Sequence, residues 1–267
     1  MELTSKTVVV TGGTSGIGLS TTESLLSHGA TVAICGIDDT ETQHAVANFA
    51  DAYGKDRISG CAVDVTDEYA LALFIDHCAD RLGGIDALVT AAGVQSYGTA
   101  ADTDVDVWNR TLAVNLTGSF LAVKHAIPHL RHRGHASIVL VSSVQAFGTQ
   151  QGVASYAVSK AGLNALARSI AVDEAANGLR ANAVCPASVD TPMLRASARR
   201  FSDGTSEEEG ALVDAWGRMH PLGRVAQPSE IGEVIAFLCS ERASFLTGAA
   251  VPVDGGLTAS LPVALPR

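Results

Sequence analysis

The sequence predicts an α/β fold in which a single doubly wound parallel sheet carries helices on both faces. Short apolar or β-branched runs alternate with longer segments of helical periodicity along most of the chain. Glycines follow the first run, at Gly12 and Gly13, and Gly29 ends the first helical segment. Short apolar strands separated by helices are typical of a parallel sheet buried on both sides, and right-handed crossovers produce a doubly wound sheet.

The individual elements follow from this alternation. Strands are predicted at 7–10, 31–35, 57–63, 85–90, 137–141, 179–184 and 249–253, and helices at 17–28, 40–53, 67–82, 106–131, 153–177 and 229–239. The segment 191–218 breaks the pattern because it is polar, charged and contains Gly204 and Gly210. We expect a helical excursion outside the sheet there, after the carboxyl end of a strand, where such sheets bind ligands.

Length and composition favour one domain over 1–267, with 191–218 as its substrate-loop excursion. The 267 residues are 47% hydrophobic and 17% charged, which predicts a large core and argues against disorder. The formal charge of −10 and the lack of a run of Lys and Arg argue against nucleic acid as a partner. No apolar run reaches the roughly 20 residues of a membrane span, and 1–6 lacks a signal pattern. We therefore expect a cytoplasmic protein that acts on a small molecule and has no membrane partner.

The cysteines and histidines do not predict a metal site. The five cysteines include no Cys-x-x-Cys pair and are interpreted as reduced core residues: Cys35, Cys61, Cys78, Cys185 and Cys239. The histidines at 125–135 form only a loose group that no carboxylate or cysteine completes.

A glycine-rich loop at 11–18 follows the first strand and opens the first helix. Its glycines, Gly12, Gly16 and Gly18, are spaced G-x-x-x-G-x-G. Gly12 permits a tight turn, Gly16 allows the backbone to approach a pyrophosphate, and Gly18 allows the helix to pack against the strand. The helix N-terminus offers unpaired N–H groups to phosphates. The loop therefore predicts a dinucleotide site in a Rossmann-like sheet.

Tyr156 and Lys160 form the candidate acid/base pair. They lie four residues apart near the start of a predicted helix and therefore share one face. Free tyrosine has a pKa of about 10, which a neighbouring ammonium or an oxidised nicotinamide would lower. The same spacing also fits an ordinary exposed helix face. Ser143, at the carboxyl end of the fifth predicted strand, is either a partner for a substrate oxygen or a simple strand-end serine.

These motifs together resemble the short-chain dehydrogenase/reductase family in its single-domain form. The resemblance covers nearly the whole chain and rests on motifs in a fixed order. They are the loop 11–18, Asp64-Val65, Ala91-Ala92-Gly93, Asn115, Ser143, Tyr156-x-x-x-Lys160, the segment 186–191 and Asp254-Gly255-Gly256.

The resemblance implies a catalytic role for four residues. Tyr156 would be the general acid/base, and Lys160 would bind the nicotinamide ribose and lower the pKa of the tyrosine. Ser143 would orient and polarise the substrate oxygen. Asn115 would hold a water that relays protons between Lys160 and solvent.

The resemblance also implies a nicotinamide cofactor and the residues that bind it. Asp64 would accept a hydrogen bond from the adenine amino group, beside the backbone of Val65, while Thr191 and the backbone of Val189 would hold the carboxamide. The predicted cofactor-binding set is Gly12, Ser15, Gly16, Ile17, Gly18, Asp38, Asp64, Val65, Ala91, Gly93, Tyr156, Lys160, Pro186, Val189 and Thr191.

The chain departs from the family pattern at two positions. Thr90 stands where the family usually has Asn, and its hydroxyl can replace some but not all of the amide's hydrogen bonds. Ala187 stands where the family favours Gly after the proline, which is tolerated if its φ is negative.

The end of the second strand favours NAD without excluding NADP. The acid of NAD enzymes would fall at Gly36, and the arginine of NADP enzymes at Ile37, so neither marker is present. Asp38 and Asp39 place negative charge nearby, which would repel a 2′-phosphate. At least one of these aspartates is also a candidate helix N-cap.

The predicted substrate set combines amides with apolar surface. It comprises Gln95, Ser143, Gln145, Gln150, Tyr156 and Met193, and Phe147, Gln151, Leu194 and Trp216 are expected nearby. This mixture suits a polyol, a sugar-like or cyclic alcohol, or a modest ketone. Arg195 is either a partner for a substrate carboxylate or, as favoured here, a solvated arginine.

Other functions stay open at this point. An NADP-dependent reductase of carrier-bound 3-oxoacyl groups would need a basic docking patch, and a non-catalytic dinucleotide sensor would not need Tyr156, Lys160 and Ser143. The resemblance also implies a homo-oligomer, a tetramer or a dimer. The helix 229–239 and the tail 257–266 are expected to contribute to its interfaces.

Overall fold

The computed structural model describes residues 3–261, which form one seven-stranded sheet with every strand pair parallel. The strand order is β3-β2-β1-β4-β5-β6-β7. The strands are β1 Thr7–Thr11, β2 Thr31–Gly36, β3 Ile58–Ala62, β4 Ala87–Thr90, β5 Ala136–Val141, β6 Leu179–Pro186 and β7 Ala250–Val253. This topology confirms the predicted α/β fold class.

Nine α-helices connect or flank the strands in the described part of the chain. They are α1 Gly16–Ser27, α2 Asp39–Tyr53, α3 Glu68–Leu82, α4 Val105–Leu112, α5 Gly118–Arg131, α6 Ala154–Glu174, α7 Pro192–Phe201, α8 Ser206–Gly217 and α9 Pro228–Cys239. α1, α2 and α9 cover one face of the sheet, and α3, α5 and α6 cover the other. No helix in residues 3–261 is long and apolar enough to cross a membrane.

The central strands are buried throughout because both faces of the sheet are covered. Every residue of β1 and of β5 is buried, which explains why all of them except Ser137 are apolar or β-branched. Four of the five cysteines are buried as predicted, but the expectation for Cys61 was wrong. Cys61 is exposed because β3 is an edge strand of the sheet.

The apolar residues of α9 belong to the core of the protomer. Ile231, Ile235 and Leu238 are each at most 1% exposed, and α9 packs against α1. Folding therefore explains the apolar character of these three residues, and the contribution of this helix to a subunit interface remains a prediction. Of the tail 257–266, residues 262–266 lie outside the described residues.

The predicted helix at 106–131 is interrupted at one point. α4 ends at Leu112, a π-helical turn runs from Ala113 to Thr117, and α5 begins at Gly118. Such turns occur frequently at functional sites, and this one contains Asn115. The predicted excursion at 191–218 contains α7 and α8, which pack against each other.

The direction of the chain reverses between β1 and β4. From β1 the chain adds β2 and β3 on one side, and β4 returns to the other side of β1. The loops that follow β1 and β4 therefore diverge at the carboxyl edge and leave a crevice between them, which is where open α/β sheets bind ligands.

Candidate active site

A cleft of about 680 Å³ lies at the carboxyl ends of the strands. It is bordered by the loops after β1 to β6 and by α7 and α8. All predicted cofactor residues except Asp38 line it: Gly12, Ser15, Gly16, Ile17, Gly18, Asp64, Val65, Ala91, Gly93, Tyr156, Lys160, Pro186, Val189 and Thr191. All predicted substrate residues line it as well: Gln95, Ser143, Gln145, Gln150, Tyr156 and Met193.

The glycine-rich loop requires glycine at the positions that the motif specifies. Gly12 has a φ of +67°, and a Cβ there would lie 2.5 Å from the backbone nitrogen of Ala92. A Cβ on Gly18 would collide with the carbonyl oxygen of Gly12. The loop after β1 therefore packs directly on the loop after β4, and any side chain at these positions would force them apart.

The N-terminus of α1 faces the cleft with its first-turn N–H groups unpaired within the helix. Ser15 is the N-cap residue, and its side chain makes no capping bond to any described residue. Unpaired N–H groups and the positive end of the helix dipole together favour an anion such as a pyrophosphate.

At the end of β2, the acidic residue that lines the cleft is Glu41 and not the predicted Asp38. The carboxylate of Asp38 accepts a hydrogen bond from the backbone N–H of Glu41 at 2.8 Å, so Asp38 is the N-cap of α2 and does not line the cleft. The acidic residue that lines this end is Glu41. At Gly36, a Cβ would lie 2.5 Å from Cγ2 of Thr14, so any side chain there would require Thr14 to move.

Tyr156 and Lys160 lie on one face of the first turns of α6. The Nζ of Lys160 is 5.5 Å from the centre of the Tyr156 ring and donates a hydrogen bond to the carbonyl oxygen of Val141 at 2.8 Å. Lys160 is only 5% exposed, whereas Tyr156 is less deeply buried and borders the cleft. The pair therefore places a hydroxyl and a buried cation side by side at the end of β5.

Burial controls the pKa values of this pair. It raises the pKa of Tyr156 to about 12, with a smaller opposing effect from the hydrogen bond to Ser143. It lowers the pKa of Lys160 to about 8. In the protein by itself the desolvation of the phenolate dominates the pKa of Tyr156, and the lowering that the resemblance implies for Lys160 remains a prediction.

Ser143 lies at the end of β5, between the tyrosine and the loop after β6. Its hydroxyl donates to the carbonyl oxygen of Pro186 at 3.4 Å and accepts from the backbone N–H of Gln145 at 3.1 Å. Ser143 therefore caps a turn, as one interpretation of the sequence suggested, and also lines the cleft beside Tyr156.

Asn115 lies behind the cleft and is fully buried. Its Oδ1 accepts from the backbone N–H of Val94 at 2.8 Å, and its Nδ2 donates to the carbonyl oxygen of Val94 and to Oγ of Ser159, both at 3.0 Å. The side chain therefore fixes the loop after β4 next to α6. The relay role that the resemblance implies for Asn115 remains a prediction.

The two departures from the family pattern have different consequences. The hydroxyl of Thr90 is buried and makes no hydrogen bond to any residue of the described chain, so it replaces none of the bonds of an asparagine. Ala187 fits as expected, because Ser5 is the one described residue other than glycine with a positive φ.

Several residues of the cleft were not identified from the sequence. Tyr97, His220, Leu212 and Leu257 line the substrate end, whereas Phe147 and Gln151, which were expected there, do not. Nδ1 of His220 lies 2.9 Å from the carbonyl oxygen of Trp216, and its Nε2 accepts from the backbone N–H of Ser188 at 3.4 Å. His220 therefore fixes the loop after β6. Its position follows from the packing of α8, which no local motif indicates.

Comparisons with known proteins indicate the family of the chain. A family model described as enoyl-(acyl carrier protein) reductase matches residues 12–258. The cis-4-hydroxycyclohexanecarboxylate dehydrogenase of Sinomonas cyclohexanicum is 39% identical over 255 residues, covering 95% of this chain and 97% of that protein. The meso-2,3-butanediol dehydrogenase of Serratia marcescens is 35% identical over 260 residues, covering 97% of each chain.

A solved structure extends the similarity to three dimensions. The aldohexose dehydrogenase of Thermoplasma acidophilum has a TM-score of 0.89 and 35% identity, and the match covers 98% of this chain and 97% of that chain. These matches span the glycine-rich loop, the Tyr156–Lys160 pair and the helices α7 and α8.

Proposed function

The chain belongs to the short-chain dehydrogenase/reductase family, and we propose that it interconverts a secondary alcohol and a ketone with NAD, using Tyr156 as the general acid/base. The observation that carries this proposal is the meeting of Tyr156, Ser143 and Lys160 at the end of β5, in the same cleft as the glycine-rich loop. A dinucleotide-binding protein without redox chemistry would not need this combination.

The residues of the cleft fit a nicotinamide dinucleotide. The loop 12–18 and the N-terminus of α1 would hold the pyrophosphate, Asp64 and Val65 the adenine, and Val189 and Thr191 the carboxamide. When bound, the nicotinamide exchanges a hydride with the carbinol or carbonyl carbon of the substrate.

The protein's own contribution is to position the substrate and to move a proton. Ser143 would release the Pro186 carbonyl and donate its hydroxyl hydrogen to the substrate oxygen, and Tyr156 would take the alcohol proton or return it. Tyr156 lies in the first turn of α6, where the helix dipole favours its phenolate. Lys160 supplies a positive charge beside the ring and would hydrogen-bond the nicotinamide ribose.

Charge at the end of β2 supports NAD as the preferred cofactor. Glu41 lines the cleft there, and Asp38 and Asp39 lie at the start of α2, where they oppose the positive end of that helix. Arg110 and Lys160 are the cations that line the cleft among residues 3–261, and neither belongs to α2. A 2′-phosphate would meet uncompensated negative charge at this end.

The relatives suggest the class of substrate. Their names specify a hydroxycyclohexanecarboxylate, a vicinal diol and an aldohexose, all of which carry a secondary alcohol. We propose that this chain likewise acts on a secondary alcohol of modest size. Reduction of carrier-bound acyl groups is disfavoured, because the first turn of α8 beside the cleft holds Glu207, Glu208 and Glu209 where a basic docking patch would be needed.

The proposal is tested with a panel of alcohols and both cofactors. The panel contains cyclohexanol, 4-methylcyclohexanol, 4-hydroxycyclohexanecarboxylate, 2,3-butanediol and glucose, assayed by nicotinamide absorbance with NAD and NADP. We expect turnover of at least one alcohol, with NAD preferred, and a loss on the order of 100-fold or more in Tyr156→Phe. Tyr69→Phe, which alters an exposed tyrosine outside the cleft, serves as the matched control. Turnover by Tyr156→Phe at the control rate would contradict the proposal.

A further inference from the structure

The substrate end of the cleft is enclosed by apolar side chains from α7 and α8. The lining residues of this end include Met193, Leu194 and Phe201 of α7 and Leu212 and Trp216 of α8. Leu194, Leu212 and Trp216 are partly buried, so they form a wall within the cleft and not a surface patch. A substrate that fills this end exchanges water for hydrocarbon and aromatic surface.

Several polar groups at the same end are already hydrogen-bonded within the protein. The hydroxyl of Ser197 accepts from the Tyr97 hydroxyl and donates to the carbonyl oxygen of Met193. Nε2 of Gln95 donates to the carbonyl oxygen of Ser96 at 3.2 Å. These groups offer a charged substrate few free partners.

Arg195, which follows the wall residue Leu194 in α7, is neutralised by a neighbouring carboxylate. Nε of Arg195 donates to Oδ1 of Asp190 at 2.7 Å, and its NH2 group donates to Oδ2 at 2.7 Å. This two-point geometry fixes the guanidinium plane, and Arg195 is not among the residues that line the cleft. The sequence raised Arg195 as a candidate partner for a substrate carboxylate, and the ion pair removes it from that role.

The other cations nearby are also occupied or distant. The guanidinium of Arg200 lies over the Tyr97 ring at 5.0 Å, and Arg199 contacts Glu209 at 3.6 Å. Arg110 lines the cleft from α4 and not from α7 or α8. Lys160 is committed to the proton chemistry.

We propose that the substrate is an uncharged secondary alcohol whose ring or chain packs on the α7–α8 wall, and that the Asp190–Arg195 ion pair excludes substrates with a carboxylate. The inference rests on the proposed function and narrows it. A carboxylate placed against this wall would lose its hydration and find no free arginine on α7, which is unfavourable for an ionised group. The negative charge of Asp190, which is paired with Arg195, also cancels most of the attraction that the guanidinium would otherwise exert on an anion.

The first test compares three substrates of matched shape. They are 4-methylcyclohexanol, 4-hydroxycyclohexanecarboxamide and 4-hydroxycyclohexanecarboxylate, assayed with NAD. The carboxamide has the shape of the carboxylate without its charge, so this pair isolates the effect of charge. We expect kcat/KM to fall in the order methyl, carboxamide, carboxylate, with roughly a tenfold difference or more between the first and the last, which is ~1.4 kcal/mol in transition-state binding.

The second test removes the carboxylate that pairs with Arg195. Asp190→Asn keeps the backbone N–H that bonds to the Ala226 carbonyl but removes the carboxylate charge. We expect kcat/KM for the carboxylate substrate to rise by about three- to tenfold, while that for 4-methylcyclohexanol changes by less than about twofold. The double variant Asp190→Asn/Arg195→Met should lose this gain, because the released cation is gone.

The outcomes separate this inference from the proposed function. A wild-type enzyme that turns over the carboxylate at least as efficiently as the carboxamide would overturn the inference while the proposed function stood. So would an Asp190→Asn variant that gains nothing toward the carboxylate, or a double variant that keeps the gain. Absence of turnover of every alcohol with either cofactor would overturn the proposed function, and the inference with it.

Discussion

Replacing Lys160 with methionine should stabilise the protein while abolishing its activity. Lys160 is 5% exposed, and burial lowers its pKa from 10.5 to about 8. At 1.36 kcal/mol per pH unit, this corresponds to ~3 kcal/mol of destabilisation whenever the lysine is charged in the folded state. Loss of the hydrogen bond to the Val141 carbonyl offsets on the order of 1–2 kcal/mol of that gain. A net stabilisation of ~1–2 kcal/mol is expected.

The sign of the effect depends on pH in a defined way. The folded-state pKa is depressed, so the cost is fully present below about pH 8, where the lysine is charged in both states. The destabilisation declines between about pH 8 and pH 10.5, because Lys160 loses its proton first in the folded state, and it vanishes above that range. The stability of the wild type should therefore approach that of the methionine variant as the pH rises through this window.

Thermal unfolding at pH 7 and at pH 10 measures this directly. We expect Lys160→Met to raise the Tm by roughly 2–5 °C at pH 7, and a smaller difference at pH 10. Lys124→Met is the matched control, because Lys124 is half exposed, pairs with Glu68 and should show no gain. A methionine variant less stable than the wild type at pH 7, or a Tm difference that is the same at both pH values, would refute the reasoning.

Two further predictions concern the cofactor and the proton. Ile37→Arg places a cation at an exposed position that lines the cleft, so kcat/KM with NADP should rise on the order of tenfold relative to NAD. Both cofactors are compared in a side-by-side assay. An unchanged ratio of the two kcat/KM values would show that position 37 does not meet the 2′-phosphate. Because burial raises the pKa of Tyr156 to about 12, its phenolate is scarce at neutral pH. The rate of alcohol oxidation should therefore increase from pH 6 to pH 9, whereas the rate of ketone reduction, which uses the phenol, should not. Initial rates measured in both directions across this pH range check the prediction. An oxidation rate that falls as the pH rises would contradict it.

The parts of the site that follow a local rule were predictable from the sequence. The four-residue spacing of Tyr156 and Lys160 places them on one face of any helix, and the structure has that helix. The positive φ of Gly12 and the close approach at Gly18 are backbone requirements that only glycine meets. The positions of the glycines therefore predicted the backbone conformation of the loop. The alternation of strands and helices also follows a local rule, and it predicted the parallel sheet.

The parts that depend on burial depth and side-chain choice were not predictable. The shift of the Tyr156 pKa depends on how much water the surrounding loops exclude, and no spacing encodes that quantity. Asp38 could have faced the cleft or capped α2, and the capping bond decided between them, which left Glu41 as the acidic lining residue. The pairing of Arg195 with Asp190 likewise depends on the turn between β6 and α7.

The central claim, that Tyr156 moves the proton during hydride transfer, is tested most directly by single-turnover kinetics. Purified wild-type and Tyr156→Phe proteins are saturated with NAD, mixed rapidly with an alcohol that the wild type oxidises, and followed by NADH absorbance, while NAD binding is titrated separately. The account predicts that Tyr156→Phe binds NAD within about threefold of wild type and that hydride transfer slows on the order of 10²-fold or more. Hydride transfer at the wild-type rate in the phenylalanine variant would contradict it.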